Sequence, residues 1–241
     1  MSLTIEETIS QSKLLINFDP FIEIAIQLQK LPLLHQVTFF ASCCERLLPI
    51  YILVSEEPGW GNISILTSIK NEIWKFTFDK IFYEEEINNL ISRLGNVVIG
   101  GDNDDESYTL CDESALTEEA REIVRYFYFI LKYILNSELK IFIDIFVIPI
   151  YIIYGRIDRF MDGDLQVDSP SQKIAKHRKC ALEHQLIQTE LQKQSFDLEL
   201  LKLTSEPSND FLSDFRDNAC NNERSILGTL EEIRAMCKEE L

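Results

Sequence analysis

Apolar residues recur at helical spacing over most of the chain. The longest stripe begins at Leu33 and continues at intervals of four and three residues to Val54, which predicts a helix over this segment. A second, nearly apolar stripe lies beside the first, so this helix has apolar side chains around much of its circumference and is predicted at the centre of the fold. Pro49 lies inside the helix and predicts a kink or a break near Arg46.

Capping residues and prolines predict where the other helices begin. Asp19-Pro20 and Pro32 are typical helix starts, and Asn62 is a candidate N-cap after a glycine-rich turn. Further helices are predicted over residues 62–78, 83–94, 117–135, 138–160, 170–203, 209–219 and 225–240. The helix over residues 170–203 would be about 50 Å long at 1.5 Å per residue.

The composition favours helices over a turn-rich sheet fold. The 241 residues include only 8 Gly and 7 Pro, whereas an all-β protein needs these residues at many turns. With 46% hydrophobic residues the chain is too apolar to be a disordered acidic protein. We therefore predict one all-α domain over residues 1–241, a bundle of about eight to ten helices with one long late helix. Residues 1–20 are predicted to be an N-terminal extension.

The chain is strongly acidic, with 23 Lys and Arg against 40 Asp and Glu and a net charge of −17. A surface of this sign argues against binding to nucleic acid or to anionic membranes. The acids are unevenly distributed, since residues 102–120 contain eight of them without a Lys or Arg, whereas residues 173–179 are basic. The eight acids are Asp102, Asp104, Asp105, Glu106, Asp112, Glu113, Glu118 and Glu119.

Three interpretations of this acidic segment stay open. An EF-hand loop would begin at Asp102, but Ser107 stands where the sharp turn requires glycine, and Leu110 offers no side-chain oxygen. A solvated loop is the simplest interpretation. Alternatively, the segment is a docking surface for a basic protein partner, because clustered carboxylates attract a cationic surface. The candidate contacts of this surface are Asp104, Asp105 and Glu106.

Glu45 and Arg46 lie in the otherwise apolar helix that begins at Leu33. Because an unpaired buried charge is strongly destabilising, each should have an oppositely charged or hydrogen-bonding partner on a neighbouring helix. One hypothesis is a structural pair that fixes the register of the helices, and the other is a ligand-binding or catalytic site. Trp60, in a glycine-flanked turn, is either a plug under a loop or a binding anchor.

The sequence lacks the common motifs of catalysis and metal binding. Its six cysteines include no CxxC pair, no two of its three histidines are four residues apart, and no HExxH, GxSxG, Walker or GxGxxG motif is present. We therefore expect neither an enzyme nor a bound metal or cofactor. The scattered cysteines are typical of reduced, buried side chains in a cytoplasmic protein, and the first residues do not form a secretory signal.

One apolar stretch raises the question of a membrane. Residues 141–154 are 14 residues that are apolar apart from Asp144 and include Pro149. A membrane span needs roughly 20 apolar residues, so this stretch is predicted to be a core helix or a subunit interface. If it is a subunit interface, the protein is a homodimer. The alternative is a membrane-associated hairpin formed with residues 126–135.

The segment 35–46 reads HQVTFFASCCER. It resembles the YjaG-like bacterial proteins, a family classed as a domain of unknown function. The resemblance continues through the GWG turn at residues 59–61 to the Ile-Trp pair at 73–74, and it returns in DLELLK at 197–202. It covers residues 22–227 in all.

The resemblance implies a cytoplasmic, all-helical bacterial protein with no established enzymatic activity. A suggested genomic association of the family with sensor histidine kinases points to signalling. The family has no catalytic residues to transfer, and the matching segments contain Glu45, Arg46, Trp60 and Asp197.

Two classes of function follow from these observations. The first is a non-enzymatic interaction or regulatory protein that docks a partner through its acidic surface, with an immunity protein against a basic toxin as a special case. The second is a small-ligand binder or enzyme built around Glu45 and Arg46, which predicts a pocket of a few hundred Å³ at these side chains.

Overall fold

Nine helices, a further helical segment at residues 180–183 and one short β-hairpin make up the part of the chain that the computed structural model describes, namely residues 19–55, 61–97, 116–161, 180–220 and 224–239. The prediction of an all-α fold is confirmed, because this hairpin holds the only strands among the described residues. In chain order the elements are α1 (Asp19–Gln29), α2 (Leu33–Ser55), α3 (Ile63–Asp79), α4 (Glu84–Leu94), α5 (Thr117–Asn136), α6 (Leu139–Met161), α7 (Gln185–Lys202), α8 (Asn209–Cys220), β1 (Arg224–Ser225), β2 (Gly228–Thr229) and α9 (Leu230–Glu239).

Helix α2 is the centre of the bundle, as its two apolar stripes predict. Seventeen of its 23 residues are buried, and it packs against α3, α5, α8 and the hairpin. Phe39 and Phe40 lie against Phe146 and Phe142 of α6, with ring centroids 6.3 and 5.5 Å apart. Because most of the surface of α2 contacts other elements, its polar side chains need partners inside the protein.

Pro49 does not break α2. The helix continues to Ser55, so the break that was one of the two predicted outcomes does not occur. A proline has no N–H to donate to the carbonyl four residues earlier, which here is that of Glu45. At this turn the next carbonyl, that of Arg46, accepts a hydrogen bond of 3.2 Å from the backbone N–H of Ile226. The hairpin is therefore attached to α2 at the turn that the proline perturbs.

Helix α2 is also the one described helix that is long and apolar enough to span a membrane, with a mean hydropathy of 1.6. However, 89% of its most apolar stretch is buried inside the protein, as in the core helix of a bundle. The segment of the alternative hairpin, residues 126–154, belongs to α5 and α6, and these two helices pack against each other and against α2.

The long late helix is shorter than predicted. Residues 180–183 are helical, the chain bends at His184, and α7 begins only at Gln185, so α7 has 18 residues and a length of about 27 Å. The reason is His184, whose backbone is extended and whose Nδ1 accepts a hydrogen bond of 3.2 Å from the N–H of Leu186. His184 is thus an N-cap and not an interior helix residue, and residues 171–179 lie outside the described residues.

The predicted helix over residues 225–240 is also wrong at its start. Strands β1 and β2 pair first, and α9 begins at Leu230. Thr229 and Glu232 cap this helix reciprocally, since the Glu232 carboxylate accepts from the Thr229 N–H at 2.8 Å and the Thr229 hydroxyl accepts from the Glu232 N–H at 3.2 Å. The spacing Thr-x-x-Glu is visible in the sequence and marks the true boundary.

Gly61 precedes α3 in a left-handed conformation, with φ of +62°. A Cβ there would lie 2.8 Å from Cζ of Tyr51 and closer still to its hydroxyl, which accepts a hydrogen bond of 3.1 Å from the N–H of Asn62. We therefore predict that Gly61→Ala lowers the free energy of unfolding by about 1–3 kcal/mol, because the change adds backbone strain and displaces Tyr51. Urea denaturation followed by circular dichroism measures the loss.

The matched control is Gly155→Ala in α6, where a Cβ would meet no atom within 4 Å. This substitution should leave the stability unchanged or raise it by about 0.5–1 kcal/mol, because alanine is the better helix residue. Equal losses in the two variants would contradict the account of Gly61.

Candidate functional site

Glu45 and Arg46 are consecutive residues of α2, and their side chains extend to different neighbouring helices. Successive side chains on a helix point about 100° apart, so the two cannot face the same neighbour. Both residues are buried, with 8% and 6% of their surfaces exposed. Arg46 extends towards α7, whereas Glu45 extends towards α3 and α8.

Arg46 is held by a complete set of acceptors. Its Nε lies 3.2 Å from one carboxylate oxygen of Glu190 and its Nη2 lies 2.9 Å from the other. Nη1 donates to Asp197 at 3.0 Å and to the hydroxyl of Ser42 at 3.1 Å, and Nη2 also donates to Sγ of Cys43 at 3.1 Å. These contacts engage all five N–H groups of the guanidinium.

The acids that hold Arg46 have further partners of their own. Asp197 also accepts from Nζ of Lys193 at 2.8 Å and from the Ser42 hydroxyl at 2.9 Å. Glu190 also accepts from the side-chain amide of Gln194 at 2.8 Å. The cluster contains two cations and two carboxylates, so its buried charges balance.

Glu45 is likewise fully engaged. One carboxylate oxygen accepts from Nε1 of Trp74 at 2.9 Å and from Nε of Arg216 at 3.3 Å, and the other accepts from Nζ of Lys70 at 2.5 Å. The guanidinium of Arg216 also lies over the Trp74 ring, 5.5 Å from its centroid. This contact set joins α2 to α3 and to α8.

The prediction that each charge has an opposite partner on a neighbouring helix is confirmed, although Glu45 and Arg46 pair with other residues and not with each other. Asp197, singled out by the family resemblance, belongs to the Arg46 cluster. Sequence reasoning missed Glu190. The available signal was its spacing of seven residues from Asp197, which places both acids on one face of a helix.

The cysteines near this cluster have raised thiol pKa values. Burial raises the pKa of Cys43 to about 12 and that of Cys44 well above its ordinary value. Cys180 is half-buried, and Cys220 is exposed, so the prediction of uniformly buried thiols is wrong for Cys220. Partial burial of its sulfur and the nearby Glu45 carboxylate nevertheless raise the pKa of Cys220 to about 11.

A cleft of about 760 Å³ lies beside the Arg46 cluster. Its walls are formed by α7 and the residues just before it, the end of α8, the hairpin and the first turns of α9. Arg46 and Glu190 both line the cleft, but Glu45 does not. The apolar lining includes Leu186, Phe196, Ala219, Ile226, Leu227 and Ala235.

Several predicted site residues lie outside the described residues. These are Trp60, Asp104, Asp105 and Glu106, together with the basic segment 173–179. Of the acidic segment, Glu118 and Glu119 are described, and Glu119 is buried in α5, which a uniformly solvated loop does not predict. The part of the chain that the structure describes contains no group of three or more residues suited to a metal ion.

A family model for proteins of unknown function, DUF416, matches residues 23–229. The chain belongs to the DUF416 family. This range is close to the 22–227 of the sequence resemblance, which is confirmed at the level of a family of unknown function.

The fold of this DUF416 chain is similar to that of a crystal structure of a DUF416 family protein from Shewanella baltica OS155. The two share 18% sequence identity with a TM-score of 0.64, and the match covers 85% of this chain and 97% of the other. At this identity the likeness shows the fold alone. The comparison with curated proteins found no match.

The Arg46 cluster leads to a prediction about stability. We expect Arg46→Met to lower the free energy of unfolding by about 3–5 kcal/mol, because it leaves the carboxylates of Glu190 and Asp197 buried without their shared cation. Arg46→Lys should fall between this variant and the original, since it keeps the charge but offers fewer donors. Urea unfolding of each variant gives the values.

The control is Lys75→Met, which removes an exposed ion pair with Glu72 at 3.4 Å and should leave the stability unchanged. If Arg46→Met were as stable as the original protein, the cluster would not hold α7 on α2.

The raised thiol pKa values lead to a prediction about labelling. At pH 8, iodoacetamide should modify Cys43, Cys44 and Cys220 of the folded protein on the order of 100-fold more slowly than the same residues in denaturant, because the thiolate is the reacting form. Peptide mapping by mass spectrometry gives the three rates. Cys220 is the decisive residue because it is exposed, and labelling at its denatured rate would contradict the raised pKa.

Proposed function

We propose that this protein is a non-enzymatic binding protein that recognises a small, largely apolar ligand in the cleft between α7, α8, the hairpin and α9. The observation that carries the proposal is the cleft itself, which lies beside a cluster of buried charges. The proposal keeps the non-enzymatic class favoured by the sequence and places recognition at the cleft.

The size and lining of the cleft support a ligand site. Its volume of about 760 Å³ is within the range of roughly 300–1,000 Å³ that is typical of small-molecule pockets. Such pockets combine a mostly apolar lining with a few polar groups that fix the orientation of the ligand. Here Leu186 and Phe196 supply apolar surface, and Lys193 and Arg224 supply polar groups.

The buried polar groups beside the cleft support binding and not catalysis. A general base or nucleophile has to be free to exchange a proton or attack a substrate. The N–H groups of Arg46 are all engaged, and Glu190 accepts from Arg46 and Gln194. The thiols of Cys43 and Cys44 are held protonated by their raised pKa values.

Docking of a basic protein through the acidic segment stays a separate prediction. Six of its eight acids lie outside the described residues, and its candidate contacts Asp104, Asp105 and Glu106 are among them. A homodimer, a cytoplasmic location, a role in signalling and the special case of an immunity protein likewise stay predictions from the sequence.

A neutral apolar dye tests the proposed function. Nile red should bind saturably with an increase in fluorescence, and Ala235→Trp should weaken its binding by about tenfold or more, because the indole would occupy the cleft from the exposed side of α9. Fluorescence titration gives both dissociation constants, and circular dichroism verifies that the variant is folded.

The matched control is Asn89→Trp, which adds the same side chain to an exposed position of α4, a helix that does not line the cleft. Its affinity for Nile red should equal that of the original protein. Absence of saturable binding, or equal binding by both tryptophan variants, would contradict recognition at this cleft.

A further inference from the structure

We propose that the ligand of this cleft is an apolar organic anion, a carboxylate or similar oxyanion with a hydrocarbon body, whose charged end is bound by Arg224. The inference rests on the proposed function and adds the chemical class of the ligand. It follows from which hydrogen-bonding groups of the cleft are still available and which are already engaged.

Arg224 is the cation at the cleft with the most available donors. It is an exposed residue of β1 that lines the cleft, and within the described residues its guanidinium has no hydrogen bond or ion pair. The Glu232 carboxylate accepts its hydrogen bond from the backbone N–H of Thr229 and not from Arg224. That hydrogen bond and, to a smaller extent, the charge of Arg224 lower the pKa of the Glu232 carboxyl. A planar guanidinium with free N–H groups is suited to bidentate binding of an oxyanion.

Lys193 supplies a second source of donors on the α7 wall. Its Nζ donates to Asp197 at 2.8 Å and lies 5.3 Å from the centroid of the Phe196 ring. An ammonium group has three N–H donors, so the contact with Asp197 leaves two for a ligand. Phe196 is 52% exposed at the cleft and offers apolar surface directly beside this cation.

The carboxylates of the cleft, in contrast, are engaged, whereas the exposed Gln185, Thr189 and Asn218 that also line it can both donate and accept hydrogen bonds. Glu190 is held by Arg46 and Gln194, and Glu232 caps α9. The hydroxyl of Ser225 donates to the carbonyl of Gly228 and accepts from the backbone N–H of Leu227. Free cationic donors beside engaged carboxylates favour a ligand that brings negatively charged acceptors, as an oxyanion does.

The volume of the cleft requires more than an inorganic ion. A water molecule occupies about 30 Å³ of liquid, so 760 Å³ would leave a bound phosphate or sulfate surrounded by solvent. The exposed apolar surface of Leu186 and Phe196 would instead be covered by a hydrocarbon body. The ligand class is therefore a molecule with a negative charge at one end and apolar surface along the rest.

Matched probes that differ only in the head group test this class. Octanoate, octanol and octylamine are titrated into ¹⁵N-labelled protein, and the shifts of the backbone amides of residues 225–228 give each dissociation constant. We expect octanoate to bind at least about fivefold more tightly than octanol, because of charge-assisted hydrogen bonds to Arg224. The pair 2-naphthoate and 2-naphthol repeats the head-group comparison on an aromatic body. Comparing 2-naphthoate with octanoate then distinguishes an aromatic acid from an alkyl acid.

Arg224→Gln should remove the preference for octanoate over octanol, whereas Lys75→Gln, at an exposed lysine of α3, should keep it. Equal binding of octanoate and octanol, or tightest binding of octylamine, would overturn the anionic ligand and leave the proposed function standing. If no probe shifts these amides, both proposals fail. A preference for octanoate that persists in Arg224→Gln would overturn the role of Arg224.

Discussion

The guanidinium of Arg46 is the buried group on which the packing of this protein depends. A cation removed from water has to recover its hydrogen bonds inside the protein, and here five N–H groups have five acceptor contacts. Two acceptors come from α2 itself, and the carboxylates of Glu190 and Asp197 come from α7. Such a pair adds little net stability over well-packed apolar side chains, so we interpret its main role as fixing the register of α7 on α2.

Three walls of the cleft are attached to α2 at Glu45 and Arg46. The side chain of Arg46 positions α7, its backbone carbonyl accepts from Ile226 of the hairpin, and Glu45 positions α8 through Arg216. The shape of the cleft is therefore set by two residues whose own polar groups are not available to a ligand. In this arrangement the buried charges organise the binding surface, and other residues at its edge, such as Arg224, are left to make contact.

The chain is strongly acidic as a whole, whereas the available charged donors of the cleft are cationic. A net charge of −17 describes the long-range field, which attracts cations and repels anions from a distance. The proposed binding within the cleft would depend instead on the donors present there, at Arg224 and Lys193. Because water and salt screen exposed charges beyond about 10 Å, short-range hydrogen bonds would decide which ligand the proposed site retains.

The sequence by itself determined the class of fold, the central position of α2, and the need for partners at Glu45 and Arg46. These features depend on local periodicity and on the cost of burying a charge, both of which can be evaluated along one segment. Only the tertiary structure decided which partners these are and that a cleft opens beside them. Glu190 is 144 residues from Arg46, and a pairing over that distance depends on how the helices pack. The cleft also depends on how the helices pack, since its walls come from segments that meet only when α2 joins them.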